Sequence, residues 1–230
     1  MKTIDEVMTI FLKAQEERLS KRTFQDYESV IELFQIYLNG YGYQTLEESD
    51  MKLWENRFKD DEASFTKLFG IDKISSYNYS EFFEYFIIRK VASGPTFMKT
   101  AVRVMKKLTK WLLENHYIDE NRFNILMDFF KGGKDKELLN AEKVGDLLYD
   151  YTRNQIDRKY EQILENYFVI EKVENKQLWV TDLFGASESI GPVIVSKQIS
   201  DLCQQDWEIF LVIGEYKGKW HIIESGNVSP

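Results

Sequence analysis

The sequence predicts an α+β protein with two domains, a multi-helix bundle followed by a small antiparallel β barrel or curled sheet. Through about the first 160 residues, apolar side chains recur at steps of three and four, the period of helices packed on a core. From residue 167 onward, short runs rich in Val, Ile and aromatic residues are typical of strands. We therefore expect a helical domain over residues 1–135, a connecting helix or linker over 136–165 and a β domain over 166–230.

The helical part divides into segments separated by capping and helix-breaking residues. Ser20 is expected to cap the second helix, with Thr23 as the alternative, and Asn39-Gly40 to end it. Ser80 is expected to cap a later helix, and Pro95 suits the first turn of the helix after that. The expected helices cover residues 4–19, 21–40, 50–58, 61–69, 80–91, 95–115, 119–130 and 138 into the 160s.

The last third of the chain carries five strand-like runs. Turns between them are expected at Glu174-Asn175 and at Lys217-Gly218, and a short helical turn is expected near residues 195–202. The expected strands cover residues 167–173, 177–184, 191–196, 207–216 and 219–225. Five strands in about 65 residues predict a small closed or curled sheet.

Several classes of protein are disfavoured by composition. A single cysteine, Cys203, cannot form an internal disulfide, so a secreted disulfide scaffold is not expected. Asp5 and Glu6 stand where a signal peptide would be basic. No run approaches the roughly 18 apolar residues of a membrane span. We expect a cytoplasmic protein without membrane association.

The patterns that enzymes and metal sites need are missing. His116 and His221, the two histidines, have no second His or Cys at ligand spacing, so no metal site is expected. The sequence holds no GxSxG, Cys-His or phosphate-loop motif. We expect neither enzymatic activity nor a cofactor.

The sharpest departure from the average is a stretch without acidic residues from Tyr85 to Leu113, in a chain of net charge −8. On an ideal helix, five of its cations fall within roughly 100° of arc, opposite an apolar face. These residues, called the basic stripe, are Lys99, Arg103, Lys106, Lys107 and Lys110. One interpretation is an anion surface suited to a phosphate backbone. The other is a solvated face neutralised by acidic neighbours.

The first half of the chain resembles the N-terminal SAM-like, core-binding domain of phage integrases and other tyrosine recombinases. LSKRTFQDYESVIELFQIYL (19–38) is similar to that family's Ser-x-x-Thr-x-x-x-Tyr start and aromatic helix. TFMKTAVRVMKKLTKWLLENHYID (96–119) is similar to the helix that ends in its Trp-Leu and Gly-Tyr-Ile phrase. The resemblance implies a mobile-element DNA-binding module that holds duplex DNA through helix faces. The residues that it implicates are Lys21, Arg22 and Thr23 on one helix and the basic stripe on another.

The resemblance stops short of the recombinase itself. Members of that family continue into a catalytic domain with His-x-x-Arg, whereas Tyr-Ile-Asp follows His116 and Ile-Ile-Glu follows His221. The C-terminal part instead resembles small β domains of unknown function, which share the Leu178 to Leu183 strand and a late Trp-containing hairpin. The expected function is therefore non-catalytic binding to the backbone of duplex DNA.

An alternative is a protein-interaction or assembly module, whose partner would be another protein or a second copy of the chain. It is motivated by an aromatic cluster in the helical half, which would otherwise fill the helical core. The cluster consists of Tyr77, Tyr79, Phe82, Phe83, Tyr85 and Phe86.

Overall fold

The computed structural model describes residues 2–58, 64–91, 94–154, 158–183 and 188–230, the side chains of 57 and 58 excepted. The chain forms two compact units. The first contains Met1–Phe86 and Lys99–Lys134, and the second contains Ile87–Met98 and Asp135–Pro230. The chain therefore passes between the units three times.

Helices make up the first unit. Thr3 and Glu6 form a capping box at the start of α1, and Ser20 caps α2 as expected, because its hydroxyl accepts from the Thr23 backbone N–H. Single 3₁₀ turns cover Gly42–Thr45 and Ile71–Lys73. The helices are α1 Ile4–Glu16, α2 Lys21–Tyr41, α3 Glu48–Phe58, α4 Phe65–Leu68, α5 Ser76–Ser80, α6 Ile88–Lys90, α7 Pro95–Glu114 and α8 Glu120–Asp128, with α6 and the start of α7 in the second unit.

The two helices that are expected between residues 61 and 91 begin at other residues than expected. The helix expected from Ser80 begins earlier, at Ser76, because Ser75 and Asn78 already form a capping box. It then continues through a π-helical stretch, Glu81–Ile87, into α6. Ser80 lies inside this run, where its hydroxyl donates to the Glu84 carboxylate. The helix expected over 61–69 is observed as α4 alone, because Ser64 and Phe69 on either side of it are extended; residues 61–63 lie outside the described part of the chain.

Aromatic rings fill the core of the first unit. The Phe34 and Phe82 ring centroids lie 5.0 Å apart, and those of Phe11 and Trp111 lie 5.4 Å apart, both in edge-on contact. Tyr79, Phe82, Phe83 and Phe86 of the aromatic cluster are buried, so most of that cluster is core. Tyr85 is partly buried, and Tyr77 has about half of its surface exposed (49%).

Five strands make up the sheet of the second unit. The strands are β1 Ile163–Glu174, β2 Gln177–Asp182, β3 Ile190–Ile194, β4 Glu208–Tyr216 and β5 Lys219–Ser229, with helix α10, Lys197–Leu202, between β3 and β4. The strands pair in the order β1-β2-β3-β5-β4, and β4 pairs again with β1, so that the sheet closes on itself. The expectation of a purely antiparallel sheet is wrong, because β3 and β5 run parallel. A parallel pair needs a long crossover, which α10 and β4 supply.

Strand β1 and helix α9 complete this unit. The sequence places a helix into the 160s, but α9 spans Lys134–Arg153 and β1 already begins at Ile163. The first half of β1 pairs with β4 and its second half with β2, which keeps this long strand extended. Rather than only connecting two domains, α9 buries Ala141, Val144 and Leu148 in the hydrophobic core of the sheet.

Candidate functional site

The inner face of α7 is fixed by the core of the first unit. Its apolar side, including Met105, Leu108 and Leu112, is buried. Thr109 adds a polar link, because its hydroxyl donates to the Met105 carbonyl and lies 2.8 Å from the hydroxyl of buried Tyr79. Burial raises the pKa of Tyr79 to about 12, so its hydroxyl keeps its proton. These contacts fix the rotation of α7 and therefore the direction of its cations.

The basic stripe lies on the outer face of α7, as the helical spacing predicts. Lys99, Arg103 and Lys110 are exposed, and Lys106 and Lys107 lie half-buried at the two edges. From Lys99 to Lys110 the stripe extends for about 16 Å along the helix, at 1.5 Å per residue. Neighbouring cations three or four residues apart have Cβ atoms about 5–6 Å from each other. This outer face is therefore a short row of positive charge.

Acidic side chains neutralise part of that row. Arg103 lies 3.3 Å from the Asp26 carboxylate of α2, and Lys110 lies 3.7 Å from Glu114 one turn later. Both pairs are exposed, so water screens their attraction and each contributes at most about 1 kcal/mol. Within the described residues, no carboxylate lies within ion-pair distance of Lys99 or Lys107. Neutralisation by acidic neighbours therefore applies to Arg103 and Lys110, and the interpretation as an anion surface applies to Lys99 and Lys107.

The start of α2 lies next to the stripe. Asp26, which contacts Arg103, is one helical turn after Arg22, so Arg22 faces the same side of α2. Lys21 and Arg22 are exposed. The Thr23 hydroxyl is engaged with that of Ser20, at 3.0 Å, and belongs to the helix cap. The structure therefore places Arg22 on the side of α2 that contacts Arg103 of the stripe.

Two other cations of the acid-free stretch, Arg89 and Lys90, lie outside α7. Arg89 and Lys90 lie in α6, within the second unit. The Arg89 guanidinium lies 2.6 Å from Glu208 of β4 and 4.7 Å from the centre of the Tyr167 ring. Arg89 is thus a packing residue of the second unit, and the stripe is confined to α7.

A small cavity in the second unit was not predicted from the sequence. It has a volume of about 150 Å³ and is lined by the end of α6, by α9 and by the Gly226 to Val228 segment of β5. Two carboxyl groups one helical turn apart, Glu142 and Asp146, reach it from α9. Burial, helped by the Asp146 charge, raises the pKa of Glu142 to about 7. Only the four-residue spacing of the two acids in the sequence could have suggested this pairing.

The described residues offer few signs of a reactive thiol, a metal site or a membrane span. Burial raises the pKa of the Cys203 thiol to about 12, which keeps it protonated and unreactive. No group of three or more His, Cys, Asp or Glu side chains is arranged to hold a metal ion across the described ranges. The described helices are all too short or too polar to span a bilayer.

The chain was compared with known protein families, curated proteins and solved structures. No known protein family, curated protein or solved structure matches it.

Proposed function

We propose that this protein is a non-catalytic DNA-binding protein that holds the backbone of duplex DNA against α7 and the start of α2. The observation that carries the proposal is the basic stripe on the outer face of α7, with Arg22 on the side of α2 that contacts Arg103 of the stripe. Duplex DNA carries a dense row of phosphates, and lysine-rich surfaces contact it without reading its bases. The resemblance to integrase core-binding domains adds a relation to mobile elements.

The net charge of −8 limits how such binding would work. An acidic chain is repelled by DNA except where a local basic face meets the phosphates. Binding would therefore be weak, dependent on low salt and nearly independent of sequence. Lys99 and Lys107 are the best candidates for direct phosphate contact, because their charges are not neutralised within the described residues.

A charge-reversal pair tests the proposal. Fluorescence anisotropy with a labelled 20-base-pair duplex at 50 mM salt should show binding by the wild type and at least about tenfold weaker binding by Lys99→Glu/Lys107→Glu. The matched control is Lys2→Glu/Lys67→Glu, which makes the same change in net charge at exposed lysines elsewhere in the first unit. Equal loss in both variants, or no binding by the wild type, would rule the proposal out.

We also propose that the second unit is a small barrel. Its strand order, its long first strand shared by β2 and β4, and its helix between β3 and β4 follow the connectivity of the OB-fold, a five-stranded Greek-key barrel. Fold alone does not assign a function, because one fold hosts many sites.

A protein-interaction module remains the second candidate, on one specific observation. Tyr77 and Ile125, exposed by 49% and 40%, line a groove of about 490 Å³ with Phe129. Exposed aromatic and aliphatic side chains around a groove favour a protein partner. If a second copy binds there, light scattering will give a dimer mass that Tyr77→Ser/Ile125→Ser reduces to the monomer mass. A monomeric wild type contradicts self-association through this groove.

A further inference from the structure

We propose that Asp26 of α2 competes with DNA for Arg103, an inference that rests on the proposed function and concerns the regulation of the same surface. While Asp26 holds Arg103, the pair carries no net charge and offers nothing to a phosphate. One carboxylate thus lowers the affinity of the basic stripe for a duplex. The stripe gains a cation when that carboxylate is removed or neutralised.

The Asp26 carboxylate reaches the stripe from a neighbouring helix. Its Oδ2 accepts a hydrogen bond from the Arg103 guanidinium, with 3.3 Å between the heavy atoms. Arg103 lies in the middle of the stripe, four residues after Lys99 and four residues before Lys107. Asp26 therefore places a negative charge beside the centre of the row of cations.

The length and exposure of this contact make it easy to break. A charge-assisted hydrogen bond from a guanidinium is usually about 2.7–2.9 Å long, shorter than the 3.3 Å observed here. The Arg103 and Asp26 side chains are 55% and 44% exposed, so water and salt screen their attraction. Such an exposed pair is favoured by a factor of about five at most. A phosphate can therefore compete with Asp26 for Arg103.

Two other ion pairs show why Asp26 is the residue of interest. In the packing pair Arg89–Glu208, the guanidinium lies 2.6 Å from the carboxylate and both side chains are less exposed. Glu114 opposes Lys110 at the end of the stripe, but their 3.7 Å distance exceeds that of a hydrogen bond. Asp26 is thus close enough to hold its cation and exposed enough to release it.

The size of the effect follows from counterion release. Each phosphate contact steepens the log–log slope of affinity against salt by about 0.9. At 50 mM salt, one further contact is therefore worth at most about fifteenfold in affinity, relative to 1 M salt. The lower limit is the factor of about five for an exposed ion pair that DNA no longer has to break. Removing the Asp26 charge should tighten binding by an amount between these limits.

Fluorescence anisotropy of the full chain with a labelled 20-base-pair duplex, at several salt concentrations, tests the inference. At 50 mM salt, Asp26→Asn should bind about five- to fifteenfold more tightly than the wild type, with a slope steeper by about one. A gain of affinity cannot come from a misfolded variant. Asp26→Asn/Arg103→Gln, which removes both charges of the pair, should bind as the wild type does and with the same slope.

The matched control is Glu28→Gln. It removes an exposed carboxylate from the same helix, about 200° around the axis from Asp26, and makes the same change in net charge. Its affinity for the duplex should change by less than about threefold, because salt screens charges that lie far from the phosphates.

Three results would overturn the inference. They are equal affinities of Asp26→Asn and wild type, the same gain in Glu28→Gln, and about tenfold weaker binding by Asp26→Asn/Arg103→Gln. The last result would mean that Arg103 already contacts a phosphate beside Asp26.

Lys99→Glu/Lys107→Glu separates this inference from the proposed function. If that variant loses the binding of the wild type while Asp26→Asn gives no gain, the proposed function stands and this inference is wrong. If neither the wild type nor Asp26→Asn binds the duplex, both are wrong.

Discussion

Replacing Glu142 by Gln should make the protein more stable at pH 8 and leave its stability nearly unchanged near pH 4.5. The pKa of Glu142 rises from its ordinary 4.5 to about 7 in the folded protein, chiefly through burial. The folded state therefore binds more protons than the unfolded state between those values, so stability falls as pH rises through that window. Above it, the folded protein must hold a poorly solvated carboxylate.

The size of the effect follows from the same shift. One pKa unit corresponds to about 1.4 kcal/mol, which sets a ceiling of roughly 3 kcal/mol for this carboxyl group. Glu142 is only partly buried and lines an open cavity, so solvent screening reduces the expected gain to about 1–2 kcal/mol. Asp146→Asn should give a smaller gain, because the charge of Asp146 ranks after burial as a cause.

Urea unfolding at pH 4.5 and at pH 8 measures this prediction. The matched control is Glu171→Gln at an exposed position of β1, expected to change the free energy of unfolding by less than about 0.5 kcal/mol. A destabilised Glu142→Gln variant at pH 8, or the same stabilisation at both pH values, would refute the reasoning.

Three further substitutions test the packing, each by its free energy of unfolding in urea. Tyr79→Phe should cost about 1 kcal/mol, because it removes the hydrogen bond between the Tyr79 and Thr109 hydroxyls. The cost stays small because Thr109 keeps its bond to the Met105 carbonyl. A neutral result would contradict the contact between the two hydroxyls. Gly191→Ala should cost about 1–3 kcal/mol and shift tryptophan fluorescence, since the new Cβ would lie 2.5 Å from the Trp179 ring; unchanged fluorescence would contradict it. Gly145→Ala, in open space on α9, should instead stabilise by about 0.5–1 kcal/mol, and a loss would show a hidden close contact.

Sequence patterns were most informative where one period ran for many residues. The helical spacing of α7 predicted both its buried face and its row of cations, since 3.6 residues per turn determines both. Ser20 was recognised as a cap because its hydroxyl acts on a local backbone group. Such features depend on neighbours within one or two turns.

Features that depend on distant partners could not be predicted. The parallel pairing of β3 with β5 joins residues 27 positions apart, such as Val193 and Trp220, and leaves no local signal. The Arg103–Asp26 contact and the Glu142 cavity likewise arise from tertiary packing. Arg89 lies within the acid-free stretch, but the linear order of charges cannot reveal that it pairs with Glu208.

The salt dependence of duplex binding tests the central claim most directly. If three to five stripe and α2 cations contact phosphates, the log–log slope of affinity against salt for the wild type should be about −3 to −4.5. Lys99→Gln/Lys107→Gln should make that slope shallower by about 2, roughly one unit per lost contact, whereas Lys2→Gln/Lys67→Gln should leave it unchanged. The same slope in all three proteins would contradict binding through α7.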